Sequence, residues 1–154
     1  MRISVKSDYA IRAAAELAAM DEGGPVKAED LARAQNIPPK YLLNILGELS
    51  RAGIVRAQRG ATGGFQLSRP AAAITLAEVI RAVDGPLANV HESRPEELEY
   101  RGASRPLREV WIAVRAALRQ VLENVTLADL ARGSLPAEVR RLASHPDALL
   151  ARGR

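Results

Sequence analysis

Leu42, Ile45, Leu46 and Leu49 recur at i, i+3, i+4 and i+7, and at Gly53 this helical period stops. Pro39 suits the first turn of such a helix and Gly53 its end, so the spacing predicts a helix over this stretch. Immediately beyond, Ile54-Val55-Arg56-Ala57-Gln58 and Phe65-Gln66-Leu67-Ser68 read as two short strands. They are joined by the glycine-rich tip Arg59-Gly60-Ala61-Thr62-Gly63-Gly64. A helix that hands over directly to a tight hairpin leaves few architectures open.

Two further helical segments precede it. Residues 7–20 are rich in helix formers, with Ser7 or Asp8 placed to cap them and Gly23-Gly24-Pro25 to end them. Val26 to Ala34 forms a second helix, which must stop before Asn36 and the Pro38-Pro39 pair. After the hairpin, Thr75-Leu76-Ala77-Glu78 is a capping box opening a fourth helix that Gly85-Pro86 closes. Residues 86–104 have no clean period and read as a loop. From Ser104 and Pro106 a long helix is expected, with Leu107, Val110, Trp111, Val114, Leu118, Val121, Leu122 and Val125 on one apolar stripe. Thr126 caps a further turn closed by Gly133, and residues 133–154 form a tail with a short helix around Val139.

Composition supports a mainly helical protein with a small β-hairpin. In 154 residues the hydrophobic fraction is 47% but aromatics are only 3%, so the core must come from Ala, Leu, Val and Ile. No stretch is long and apolar enough to span a bilayer and no signal-peptide pattern opens the chain, so the expectation is a cytoplasmic protein without a membrane partner. There is no cysteine, which removes disulfides, thiolate zinc, thiol catalysis and cysteine-held iron–sulfur clusters together. No HExxH helix and no Ser-His-acid arrangement on a strand-turn-helix is found, so an enzyme is not expected. Nor does a Gly-Lys-Ser/Thr or GxGxxG strand-helix context accompany the glycine tip, which disfavours a nucleotide phosphate loop.

The net charge is +4 and the isoelectric point about 10.0, but the distribution says more than the total. Residues 31–70 hold Arg33, Lys40, Arg51, Arg56, Arg59 and Arg69 against one acid, Glu48. Three short helices followed by a hairpin is the order of a winged helix-turn-helix, in which one helix enters the major groove and the hairpin touches the flanking backbone or minor groove. On the third helix, Lys40, Leu43, Asn44, Gly47 and Arg51 lie opposite the apolar stripe. Lys40 suits phosphate near the helix start, Asn44 has the donor and acceptor that read an adenine edge, and Gly47 permits close approach. In the hairpin, Arg56 and Arg59 add charge, Thr62 a phosphate donor, and Gly60, Gly63 and Gly64 backbone freedom. Each feature alone also fits a solvated helix face or an ordinary tight turn.

The chain resembles the IscR-like, Rrf-two-type winged-helix transcription regulators over about residues 1–130. The resemblance is carried by Met1-Arg2-Ile3-Ser4 with Asp8-Tyr9-Ala10, Ala28-Glu29-Asp30-Leu31-Ala32, Ile37-Pro38-Pro39-Lys40-Tyr41-Leu42, Leu49-Ser50-Arg51-Ala52-Gly53-Ile54-Val55, the tip with Phe65, Ile74-Thr75-Leu76 and Asp84-Gly85-Pro86. It implies a homodimer joined by the long helix, DNA contacts from Lys40, Tyr41 and their neighbours, and Arg59 directed into the minor groove. Cluster-binding relatives place three cysteines in the loop corresponding to residues 86–106, where this chain has none, and positions that help hold a cluster in one branch match Asp8 and Arg12. No cofactor is therefore expected. His91, Glu92, Glu96, Glu97 and Glu99 offer oxygen and nitrogen donors, but an acidic loop of this kind is ordinarily solvated.

The expected organisation is a winged helix-turn-helix over residues 1–85, a loop over 86–104, a dimerisation helix and turn over 105–132 and a tail over 133–154. The expected function is a transcriptional repressor that binds a palindromic operator in double-stranded DNA as a homodimer, under the control of a small-molecule or protein effector. The dimer interface would be Leu107, Val110, Trp111, Val114, Leu118, Val121 and Leu122. An apolar stripe does not say whether its partner lies in the same chain, so Trp111 reads equally as a dimer anchor or an internal core residue. The alternative function is a protein-interaction module that regulates through a partner and binds DNA weakly.

Overall fold

A computed structural model describes residues 2–20 and 23–150; Met1 of the opening motif and residues 151–154 of the tail lie outside these. Helix α1 (Val5–Ala19) presents Ala10, Ala13, Ala14 and Leu17 on one face, the three alanines without any exposed surface. Alanine's single methyl lets neighbours come close, and α1 is touched by α2 (Ala28–Gln35), α3 (Pro39–Arg51), α4 (Leu76–Asp84) and α6 (Leu127–Arg132). Leu31, Leu42, Ile45, Leu46, Leu49, Val79 and Leu127 close the core around it.

The first helix starts earlier than its sequence signals suggest. Ser4 is the cap, its hydroxyl accepting from the Ser7 N–H at 2.9 Å. Ser7 is buried and donates at 2.6 Å to Asp84, which also accepts from Ser4 and lies 3.9 Å from Lys6. This cluster ties the start of α1 to the end of α4. Burial alone would raise the Asp84 carboxyl, but the two hydroxyls and the Lys6 charge outweigh it and hold the group below the usual carboxylate range.

Between α2 and α3 the chain reverses at Asn36, whose left-handed backbone (φ 50°, ψ 51°) lets the Ile37 N–H reach back to the Ala32 carbonyl at 2.9 Å. Gly53 (φ 73°) makes the next reversal, into β1 (Val55–Gln58), which pairs antiparallel with β2 (Gly64–Leu67) in the register Val55↔Leu67 through Gln58↔Gly64. Val26, expected in the second helix, instead bridges Phe65 through two backbone hydrogen bonds of 2.8 and 2.7 Å. The hairpin is thereby fastened to the segment that leads into α2.

Helix α5 (Leu107–Leu122) is shorter than its stripe. Val125 has left the helix, is buried, and accepts from the Leu76 N–H at 3.0 Å, while the Leu127 N–H donates to Ile74 at 3.0 Å. Thr75 and Thr126 face each other across this bridge, and each opens a capping box, for α4 and α6 respectively. The expected grouping of residues 105–132 therefore divides: α6 joins the core of the first unit, and α5 lies outside it. The 86–104 segment contains 3-10 turns at Pro95–Glu97 and Gly102–Ser104, and α7 (Ala137–Ala143) and α8 (Pro146–Leu149) follow with no buried residue.

Leu127→Ala should cost about 2–5 kcal/mol in chemical denaturation, whereas Leu149→Ala, at an exposed position, should cost almost nothing. Because the Asp84 carboxyl is depressed in the folded state, its contribution is fully present above the ordinary carboxylate pKa and is lost as pH falls through the folded value. Asp84→Asn should flatten that acid limb in a denaturation series from about pH 6 to about pH 3.

Candidate nucleic-acid interface

Helix α3 buries Leu42, Ile45, Leu46 and Leu49 and turns Lys40, Leu43, Asn44 and Arg51 outward, all exposed. Its first turn carries no acid, and no side chain caps it, in contrast to the boxed starts of α4 and α6. The first N–H groups of α3 are left open beside Lys40, an arrangement that favours an anion. Tyr41 is held in place from α1: its ring meets that of Tyr9 edge-on at 5.8 Å, and the Arg12 guanidinium covers the Tyr9 ring at 5.2 Å. Arg12 is itself fixed by Asp8 at 3.1 Å and by the Gln35 carbonyl at the end of α2. Asp8 and Arg12 thus form an ion pair within α1, and it is the reach of Arg12 to Gln35 that braces α1 against α2.

The wing continues from α3 without interruption, since the Ile54 N–H bonds the Leu49 carbonyl at 2.9 Å. Arg56, Arg59, Gly60 and Thr62 are exposed. With the Gln66 amide turned so that its oxygen faces Arg56, the guanidinium donates to it at 2.6 Å, which steadies Arg56 and leaves its charge uncompensated. The glycines divide by role. Gly60 (φ 106°) supplies a backbone shape that other residues rarely adopt. Gly63 is buried, and a Cβ there would lie 2.2 Å from the Gln58 carbonyl; at Gly64 one would lie 2.5 Å from the Val26 carbonyl. Close approach at Gly63 and Gly64 is therefore used within the protein, to fold the tip and fasten it.

The exposed cations of this face are left without acids among the described residues. Lys40, Arg51 and Arg59 have no ion-pair partner among the described residues, whereas Arg12, Arg33, Arg69, Arg81, Arg115, Arg119 and Arg141 each hold an acid. Glu48, the single acid of residues 31–70, is bound by Lys6 at 3.2 Å and so draws little from the positive field. That pairing was invisible to a reading confined to the basic segment.

Helix α5 has no buried residue at all, although its stripe is strongly amphipathic. Val110 is 50% exposed; Leu107, Trp111, Val114, Leu118, Val121 and Leu122 are half-buried. Trp111 donates its indole N–H to the Tyr100 hydroxyl at 3.1 Å, so its polar edge is taken by the loop of its own chain. Leu118 and Leu122 line a cavity of about 170 Å³ with Ile3, Ile80 and Leu87.

A reading helix braced from behind and a basic wing rooted in its end are the geometry of a DNA-binding regulator, and comparison with known proteins agrees. Residues 3–133 match the Rrf2 family, described as iron-dependent transcriptional regulators. The chain belongs to the Rrf2 family of transcriptional regulators. It is 48% identical over 143 residues, 93% of this chain and 89% of the relative, to a helix-turn-helix regulator of Mycobacterium tuberculosis. It is 36% identical to CymR of Bacillus subtilis over 131 residues, 85% of this chain and 90% of the relative. The solved structure of that protein, described as a global cysteine regulator, aligns with a TM-score of 0.71 over 87% of this chain and 98% of its own. IscR of T. potens aligns with a TM-score of 0.69 at 27% identity, over 99% and 94% of the two chains.

Like those relatives, this chain is a DNA-binding transcriptional regulator with a mainly α, winged-helix fold, and it is not an enzyme. No helix among the described residues is long and apolar enough to cross a membrane. The family's iron does not fit the donors present. The chain has no cysteine, and among the described residues no group of three His, Cys, Asp or Glu side chains is close enough to hold a metal.

A Cβ at Gly47 would meet nothing within 4 Å, whereas one at Gly63 would strike backbone. Gly47→Ala should accordingly raise stability by about 0.5–1 kcal/mol. Gly63→Ala should cost about 1–3 kcal/mol and release amide protection at Gln58 and Gly64 in hydrogen exchange.

Proposed function

We propose that the protein is a homodimeric repressor that binds a palindromic operator in double-stranded DNA without an iron–sulfur cluster. The observation that carries this reading is the uncompensated charge of α3 and the wing, with their one acid locked on Lys6. On this reading α3 enters the major groove. Lys40 and the open N–H groups at its start take phosphate, Asn44 reads a base edge, and Arg51 anchors the far end. Tyr41, steadied by Tyr9, donates its hydroxyl to the backbone, and Thr62 does the same from the wing. Arg56 adds backbone charge, and Arg59 enters the minor groove, where a narrow A·T-rich tract strengthens its attraction. Gly60, Gly63 and Gly64 shape the tip that delivers it.

The dimer is supported by the stripe of α5, which its own chain covers only in part: Val110 is 50% exposed and the other six residues are half-buried. A 16-residue helix is kept amphipathic at a cost in exposed apolar surface unless something covers it, and a second α5 offers the same stripe in a two-fold arrangement. Leu107, Val110, Trp111, Val114, Leu118, Val121 and Leu122 form that interface. Two symmetry-related α3 helices then match two half-sites, and occupancy of the operator blocks transcription.

Selection from a random duplex pool should yield an inverted repeat. Affinity for it should fall with salt with a logarithmic slope of roughly −7 if Lys40, Arg51, Arg56 and Arg59 of both protomers release counterions. Arg59→Ala should reduce the slope by about 2 and weaken A·T-flanked sites most. A flat salt response, or unchanged affinity in the variant, would contradict the assignment of this face.

A further inference from the structure

Arg81 from α4, Arg94 from the loop and Arg115 and Arg119 from α5 converge on one cavity of about 400 Å³, which Asn89 and Glu96 also line. These guanidiniums come from three separate elements, and only two carboxylates answer them. Glu96 pairs with Arg115 at 2.6 Å, and Glu123 pairs with Arg81 and, at 3.7 Å, with Arg119. Arg94 has no ion-pair partner among the described residues, although its field reaches Glu96. That carboxyl is held below its usual range by its own backbone N–H, by Arg115 and by Arg94. The cavity thus carries an excess of two positive charges. The Arg115 side chain is only 14% exposed, so water compensates it poorly. Among the described residues outside the α3–wing face no comparable surplus is enclosed by so many elements, and nothing in DNA recognition uses it.

We propose that this cavity binds a small oxyanion effector with two negative charges. Guanidinium forks match the oxygen pairs of carboxylate, phosphate and sulfate groups, and two charges neutralise the excess. Asn89 adds an amide donor, and Leu87 gives the site an apolar wall. The ligand's position gives it leverage. It would bridge α4, which packs on α1 and α3, to α5, which carries the dimer stripe. Fixing the angle between α4 and α5 sets how two α3 helices are spaced, so occupancy changes operator affinity. This regulatory half rests on the DNA-binding reading above; the binding half does not.

The test is a nitrogen-15 NMR titration of the full chain without DNA, with inorganic phosphate, sulfate or succinate at constant ionic strength against chloride. Saturable shifts are expected at the Leu87 and Asn89 amides and at the Arg81, Arg115 and Arg119 Nε–H signals. The anion that saturates at the lowest concentration identifies the oxyanion class. Arg94→Gln removes an exposed side chain with no ion pair, leaves the fold intact, and should weaken binding about tenfold. Shifts confined to α3 and the wing, shifts that track chloride, or an unchanged affinity in Arg94→Gln would each overturn the site. With the selected operator, the tightest anion should change DNA affinity about fivefold or more. No change there would overturn the regulatory half alone, while failure of the wild-type chain to bind any duplex would count against the DNA-binding reading and leave the site standing.

Discussion

The core of this protein is built against the alanine face of α1. Ala10, Ala13 and Ala14 are wholly buried, and their small side chains let four other helices approach the same axis. One of these is α3, so the position of the reading helix depends on how tightly α1 is packed. Others are α4 and α6, which bring the two ends of the α5 excursion back to the core. A larger residue at any of these alanines would push α3 and α6 away from α1 and so shift the helix that carries Lys40, Asn44 and Arg51.

A second layer of the design is electrostatic withdrawal. The site is basic less because it has many cations than because its cations are left alone. Elsewhere seven arginines, among them Arg12, Arg33 and Arg141, are paired with acids. On α3 the only acid is turned toward Lys6, and in the wing Arg56 rests on a neutral amide. Charge left uncompensated on an exposed surface costs little in water and is available to a polyanion.

Much of this was legible from local sequence. The Leu42-Ile45-Leu46-Leu49 period, the Thr75 and Thr126 capping boxes and the change of period at Gly53 are short-range signals, and the elements they mark are present. What was not legible depends on contacts between distant residues. Ser7 looked like a cap, but Asp84, 77 positions away, claims its hydroxyl, and Ser4 caps instead. Val26 carried a helix-compatible pattern, but Phe65 holds it in a bridge. Val125 continued the α5 stripe in sequence, yet the pairing of Thr75 with Thr126 ends the helix first. The glycine tip was recognisable as a wing, while the buried role of Gly63 required the position of the Gln58 carbonyl. The arginine cavity was hidden for the same reason, since its four members are scattered from residue 81 to residue 119.

The account stands or falls on whether α5 joins two copies, because a single copy presents only one α3 to DNA. Sedimentation equilibrium at micromolar concentration, on the wild type and on Val110→Glu, addresses this directly. Val110 is half exposed, so a glutamate there leaves the fold of one chain undisturbed while placing like charges in the shared stripe. The prediction is a dimer for the wild type and a folded monomer, with unchanged circular dichroism and much weaker binding to the inverted repeat, for Val110→Glu. A wild type that sediments as a monomer, or a Val110→Glu variant that remains a dimer, would contradict it.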